Sequence, residues 1–322
     1  MLKVGVFGAG HLGKTHIKVA AASPRLTLAG FYDPNHDLVK SSDLLKNQQS
    51  FQSPEALIDA VDIVDIVTPA PTHFELAQKA IEAGKHLFIE KPLTATLAEA
   101  QALIQLAEQK KIIGQVGHIE RFNPAYIALQ PFINNPQFIE THRLAEFNPR
   151  GNDVSVVLDL MIHDIDIVLN VVNAPIKNIR ASGVAVISKS PDICNARIEF
   201  ENGCVANLTA SRVSLRKVRK TRFFQKNAYL VVDYLTQQVE VLTIKDYSSA
   251  SKEDLAIVLN NAEGEKKQVI FENPLILKTN PIQDELEHLV DCIENKLIPR
   301  VTLHDGAQAL EVAEHIIANM EQ

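Results

Sequence analysis

The stretch KVGVFGAGHLGKTH, residues 3–16, constrains the fold more than any other part of this chain. An apolar run of strand character meets Gly8-Ala9-Gly10-His11-Leu12-Gly13, the spacing G-x-G-x-x-G, and a helical pattern starts at once. In the order strand, glycine turn, helix, that spacing predicts a dinucleotide-binding βαβ unit. Gly8 is read as the tight turn. Gly10 is read as the position without Cβ, where a pyrophosphate nears N–H groups at a helix amino terminus. Gly13 is read as the point where that helix packs close to the sheet. Asp33 ends the next apolar run, LTLAGFYD (26–33). A carboxylate there accepts hydrogen bonds from adenosine ribose hydroxyls and repels a 2′-phosphate. No Arg or Lys follows it before Lys40, so NAD is expected over NADP.

The first 120 or so residues keep the same alternation. Strands are expected at 3–8, 26–33, 62–69, 85–92 and 112–118, with helices near 11–22, 34–47, 53–60, 73–83 and 95–110. Continuous Val/Ile runs joined by helices imply an α/β fold, a doubly wound parallel sheet of Rossmann type covered on both faces. NPAYIALQPFINNP (123–136) reads as the crossing to a second domain. Beyond the segment at 156–173 strands dominate, at 176–187, 194–200, 204–211, 220–227, 228–234, 239–244 and 267–272. Glu201-Asn202-Gly203 reads as a type I′ hairpin turn. The second domain is therefore expected to be α+β, with a large, open, mostly antiparallel sheet. Two amphipathic helices close the chain at 282–296 and 305–320. The expected division is 1–122 and 123–322, with the last helix able to pack back on the first domain. Residues 248–266 carry the weakest structural signal.

A length of 322 residues agrees with two domains. The net charge of −7 argues against nucleic acid and acidic membranes as partners. Cys194, Cys204 and Cys292 form no C-x-x-C pair, which suits free thiols in a reducing cytoplasm. No apolar run approaches the length of a signal peptide or a membrane span.

The fourth strand ends in FIEKP, placing Lys91 where an open α/β sheet binds its ligand. With GAGHLG (8–13), FYDP (31–34), VTPAPTH (67–73), EKP (90–92), HIERFNP (118–124), LDLMIHDID (158–166) and FENG (200–203), the chain resembles the glucose–fructose oxidoreductase / inositol dehydrogenase (Gfo/Idh/MocA) family. That resemblance implies an oxidoreductase that acts on hydroxyl groups of sugars, inositols or sugar nucleotides. It also implies a catalytic set of Lys91, Asp159 and His163. It extends the cofactor site from Gly8, Gly10, His11, Leu12, Gly13 and Asp33 to Thr68, Pro69, His73, Glu90 and Lys91. Beside Lys91, Asp159 and His163 it places His118, Arg121, Arg150 and Met161 at the substrate. The family pattern D-x-G-x-H-x-x-D has Met161 where glycine is usual, which bears on the size of the permitted substrate.

On an α-helix, Asp159, His163 and Asp166 fall within an arc of about 60°, and Asp164 lies off it. A base within reach of a hydroxyl proton is what oxidation of an alcohol requires. Lys91 and His163 are both candidates for it, with Asp159 orienting the imidazole or binding the hydroxyl. Asp166 reads as structural. The same three residues could form a metal-binding face. Lys91 would compete with a cation there, and hydride transfer to a nicotinamide needs none, so no metal is expected.

Arg143, Arg150 and the set Arg212, Arg216, Lys217, Arg219, Lys220, Arg222 stand out in an acidic chain. They fit either recognition of substrate phosphates or a solvated sheet edge. GHIERFNPA and PRGNDVSVVLDLMIHDIDIVL are similar to a subgroup that oxidises the 3-hydroxyl of UDP-N-acetylglucosamine to a ketone, toward lipid A or surface polysaccharides. A free sugar or inositol is the alternative substrate. A non-catalytic NAD-binding regulator is the alternative class, against which Lys91, Asp159 and His163 argue. An open sheet of this size also implies a homodimer or homotetramer.

Overall fold

The computed structural model describes the whole chain except residues 36, 38–41, 149–153, 248–256, 261 and 321–322. The chain divides into two compact units, Met1–Phe122 with Thr279–Glu311, and Asn123–Lys278 with Val312–Gln322.

The first unit is built on five parallel strands: β1 (Leu2–Phe7), β2 (Leu26–Tyr32), β3 (Ile63–Ile66), β4 (His86–Glu90) and β5 (Gly114–Gly117). Their order is β2-β1-β3-β4-β5, the parallel α/β arrangement expected from the sequence. All four residues of β3 and of β5 are buried, as a sheet covered on both faces requires. Helices α1 (His11–Ala22), α2 (Asp43–Lys46), α3 (Pro54–Asp59), α4 (His73–Glu82) and α5 (Leu97–Lys110) connect the strands. Local chemistry starts them: Ser53 caps α3 ahead of Pro54, and Thr96 with Glu99 forms a capping box on α5. A further helix of this unit, α8 (Pro281–Asn295), was expected in an uninterrupted second domain over 123–322. It belongs here because Leu286, Leu289 and Val290 share one buried cluster with Val4, Ile63 and Phe88. Helix α9 (Leu303–Met320) runs from one unit into the other.

Among the described residues the second unit holds a nine-stranded sheet. Its strands are β6 (Phe138–Leu144), β7 (Ile176–Val184), β8 (Ile193–Phe200), β9 (Val205–Ser211), β10 (Val218–Gln225), β11 (Ala228–Asp233), β12 (Gln238–Asp246), β13 (Ile257–Asn260) and β14 (Lys266–Glu272). The order is β13-β14-β12-β11-β10-β6-β9-β8-β7, antiparallel except for the pair β6–β9. Alternating burial, as in the pattern of β6 and β8, shows one covered face. Two strands were not expected from sequence. Strand β6 turns Ile139, Thr141 and Arg143 inward, so no hydrophobic alternation marks it. Strand β13 lies within the segment that gave the weakest signal. The stretch 123–136, expected as a crossing, is instead packed structure: α6 (Pro124–Leu129) buries Pro124, Ala125, Tyr126 and Leu129. The hairpin at 201–203 also differs from type I′. Gly203 has φ +86° while Asn202 is not left-handed, and Gly203 N–H donates to Phe200 O. That is a three-residue loop closed by a glycine bulge.

Among the described residues no helix is long and apolar enough to cross a membrane. All three cysteines are free and buried. Burial pushes the Cys194 thiol up to about 12 and that of Cys204 to about 11.

Candidate active site

The glycine turn, the end of β2 and the loop after β3 enclose a cavity of about 700 Å3 in the first unit, within the range of small-molecule sites. Gly8, Gly10, His11, Leu12, Gly13, Asp33, Thr68 and Pro69 line it. Gly8 has φ +93°, and a Cβ there would lie 2.7 Å from Val67 O. A Cβ on Gly13 would lie 2.0 Å from Gly8 O, so this glycine seats the helix on the turn's own carbonyl. A Cβ on Gly10 would meet nothing within 4 Å, which leaves the start of α1 open to a ligand. No acidic side chain occupies the first turn of α1, where the helix dipole favours an anion. Asp33 does two jobs: Oδ2 accepts from Ala9 N–H at 2.7 Å and Oδ1 from Asn35 N–H at 2.8 Å, so its position on the turn is fixed. Lys79, a cation on the cavity wall, is paired with Glu55 and Glu75 at 3.1 and 3.0 Å. The residues present fit a dinucleotide with its pyrophosphate at the head of α1 and a ribose beside Asp33.

His73, expected at the cofactor, is buried and does not line the cavity. Its ring nitrogens lie 2.9 Å from Pro92 O and 2.7 Å from Thr68 O, tying the loop after β3 to the EKP segment. Lys91 follows the last residue of β4, and the Lys91–Pro92 peptide is cis. Glu90 Oε2 accepts from Lys91 N–H at 3.2 Å, and Glu90 Oε1 lies 3.3 Å from His16 Nε2. His16 Nδ1 in turn lies 3.0 Å from Asp65 Oδ2. Burial opposes charge on His16, but the carboxylates of Asp65 and Glu90 outweigh it and raise the imidazole well above its ordinary value. Neither His16 nor Asp65 was expected from the sequence. The signal that could have found the pair is a lone carboxylate in the otherwise apolar strand IVDI.

Two residues expected at the substrate are buried in the first unit. Arg121 is buried, and its guanidinium donates to Asp305 Oδ1 and to Arg300 O, both at 3.3 Å. His118 is 1% exposed. Arg150 lies outside the described residues.

In the second unit the polar helix departs from the sequence expectation. Residues Val157–Met161 form a π turn in which Ile162 N–H donates to Val157 O, five residues back. A regular helix, α7 (Ile162–Val172), follows. Asp159 stands in the wide turn and His163 in the first turn of α7, so the arc calculated for an unbroken α-helix does not apply. Such turns insert one residue and recur at functional sites. Asp159 and His163 are half-buried, whereas Met161, Asp164 and Asp166 are buried. Met161, expected at the substrate, has no exposed surface. Asp164 makes a two-bond ion pair with Arg143, at 3.0 and 2.9 Å. The other basic residues divide. Arg212 donates to Val154 O at 2.7 Å, Arg222 pairs with Glu140 at 3.1 Å and Lys220 with Asp233 at 3.5 Å. Arg216, Lys217 and Arg219 are exposed. Phosphate recognition by the basic set as a whole is therefore not what the structure supports.

Residues 2–118 match the model of the oxidoreductase family with NAD-binding Rossmann fold (GFO_IDH_MocA), and residues 130–230 match the GFO/IDH/MocA C-terminal domain. The chain is 40% identical to the UDP-N-acetylglucosamine 3-dehydrogenase of Acidithiobacillus ferrooxidans over 241 residues, 74% of this chain and 76% of that one. A solved structure of that enzyme superposes with a TM-score of 0.86 at 33% identity, covering 99% and 98% of the two chains. The NAD(+)-dependent scyllo-inositol 2-dehydrogenase of Bacillus subtilis is 28% identical over 334 residues, 97% of this chain and 92% of that one. The cavity at the glycine turn, the lysine after β4 and these matches together establish that the chain belongs to the Gfo/Idh/MocA family of NAD-binding oxidoreductases, dehydrogenases acting on CH–OH groups.

Proposed function

We propose that this protein is an NAD-dependent dehydrogenase that oxidises the 3-hydroxyl of UDP-N-acetylglucosamine or a closely similar sugar nucleotide to a ketone. The observation that carries this reading is the match, at 40% identity, to an enzyme named for that reaction. NAD is favoured over NADP by Asp33 at the ribose position and by the pairing of Lys79 with two glutamates. When bound, the nicotinamide takes the hydride released from the carbinol carbon.

The remaining work falls to the chain. Asp159 and His163 supply a carboxylate and an imidazole that share the hydroxyl and its proton, since alcohol oxidation needs a base within hydrogen-bond reach. An imidazole exchanges protons near neutral pH. Lys91 stabilises alkoxide character as the hydride leaves. Of the cationic residues considered, Arg216, Lys217 and Arg219 have exposed side chains able to meet a diphosphate.

A free polyol is the second reading, supported by the inositol dehydrogenase that aligns over 97% of the chain. The deciding experiment is NADH formation by purified protein with UDP-N-acetylglucosamine, other UDP-sugars and inositols. Turnover of inositol without turnover of any UDP-sugar would overturn the sugar-nucleotide reading. We also propose self-association, supported by the exposed Ile257, Val258, Leu259 and Phe271 on neighbouring strands β13 and β14. Light scattering of the full chain tests it, a monomeric mass being the contrary outcome.

A further inference from the structure

Behind Glu90 the first unit contains a group of ionisable side chains that the dehydrogenation chemistry does not use. His16 comes from α1, Asp65 from β3, Glu90 from the end of β4 and Glu285 from α8. His16, Asp65 and Glu285 have no exposed surface, and Glu90 is 8% exposed. One side-chain atom each of His16, Glu90 and Glu285 lies within 4.8 Å of the others. Glu90 Oε1 lies against Gly117, where a Cβ would come within 2.9 Å of it. The turn carrying Glu285 is anchored too, its backbone carbonyl accepting from Gln115 Nε2 at 2.7 Å.

The charge balance of this group is uneven. His16 sits between Asp65 and Glu90, at 3.0 and 3.3 Å, and one imidazolium faces two carboxylates. Glu285 is the third carboxyl, and neither of its oxygens has a hydrogen-bond partner. A buried, ionised and unpartnered carboxylate is among the most costly arrangements in a protein interior. Placing a proton on it removes the charge and creates a donor.

We propose that Glu285 is a neutral carboxylic acid facing Glu90, and that with the His16–Asp65 pair it fixes Glu90 beneath the Lys91 backbone as a positioning residue for the dehydrogenase. Glu90 then has three neighbours: His16 at one oxygen, the Lys91 N–H at the other, and the uncharged Glu285 carboxyl within 4.8 Å. The groups facing Glu285 are His16 from α1, Asp65 from β3, Glu90 from β4 and Asp284 from its own helix. Burial, with Glu90 adding repulsion, raises the Glu285 carboxyl well above its ordinary value, in agreement with the geometry. An acid whose folded-state value is raised contributes stability that is full below its unfolded value and is lost as pH rises through the folded one.

The positioning role rests on the reading of Lys91 as a reacting residue, whereas the protonation state does not, and the test separates them. Thermal unfolding of wild type and Glu285→Gln is followed between about pH 6 and pH 9 in the absence of substrate. Glutamine copies the shape of the neutral acid, so the melting temperature of the variant should gain on that of wild type as pH rises. A difference independent of pH overturns the neutral acid. Chelator that lowers the melting temperature of wild type alone also overturns it, by assigning the space to a cation. Activity is then read on whichever hydroxylated substrate the wild type oxidises. Glu285→Gln should keep kcat within about threefold, while Glu285→Leu should lose at least about tenfold in kcat with KM for NAD little changed. Equal loss in both variants overturns the positioning role. Failure of wild type to oxidise UDP-sugars overturns only the substrate reading.

Discussion

Arg143 and Asp164, 21 residues apart in sequence, meet as a buried ion pair with bonds of 3.0 Å from Nε and 2.9 Å from Nη2. The arginine stands on strand β6 and the aspartate on α7, one residue past His163. The pair therefore fixes the rotation of the helix that carries His163, and it removes Arg143 from the residues available to a substrate phosphate.

Breaking this pair from one side should be costly, since it strands a buried charge. Arg143→Met and Asp164→Leu are each expected to lose about 3–5 kcal/mol in denaturant unfolding. The double variant should lose less than the two single losses combined. Simple additivity would mean that the two charges act independently.

At the glycine turn two substitutions should part company. Gly13→Ala drives a Cβ to 2.0 Å from Gly8 O, so both the turn and NAD binding should suffer. Gly10→Ala meets no protein atom within 4 Å, so melting temperature should hold. Its NAD affinity should fall by about tenfold or more, because the added methyl occupies the pyrophosphate approach. Calorimetric titration beside thermal melting measures both.

Asp33→Asn keeps an acceptor for Ala9 N–H but removes the charge that repels a 2′-phosphate. NAD affinity should drop about tenfold and the preference for NAD over NADP should shrink. Titration of both dinucleotides reads the ratio. An unchanged ratio would show that Asp33 acts on the turn alone.

Lys91→Ala and His163→Ala should each lower kcat by about 10²–10⁴-fold with NAD affinity retained. Comparing their pH–rate profiles identifies which of the two carries the proton, because the variant lacking it loses the acid limb. Asp159→Asn should fall between wild type and His163→Ala.

The thiols should be inert in the folded chain. With values pushed up to about 12 and about 11, Cys194 and Cys204 hold almost no thiolate at neutral pH. Reaction with a thiol-reactive dye is expected only after denaturant is added. Rapid labelling without unfolding would contradict their burial.

What the sequence determined by itself is local. Glycine spacing, the Asp at the end of β2 and Val/Ile runs joined by helices specify a dinucleotide-binding sheet, because each depends on backbone geometry within about 35 residues. Gly8, Gly10, His11, Leu12, Gly13, Thr68 and Pro69 were readable for the same reason and line the cavity, whereas His73 does not. The spacing of Asp159 and His163 was readable but their geometry was not, since the π turn that holds Asp159 leaves no mark in composition. Contacts between distant segments were decided by the tertiary structure. Arg121 looked available to a substrate until Asp305 enclosed it, and Arg143 until Asp164 did. Helix α8 read as part of the second domain until Leu286 and Leu289 found the first core. Likewise His16, Asp65, Glu90 and Glu285 come from four separate elements. A buried charge must find a partner wherever the fold brings one, and sequence spacing carries no record of which partner that is.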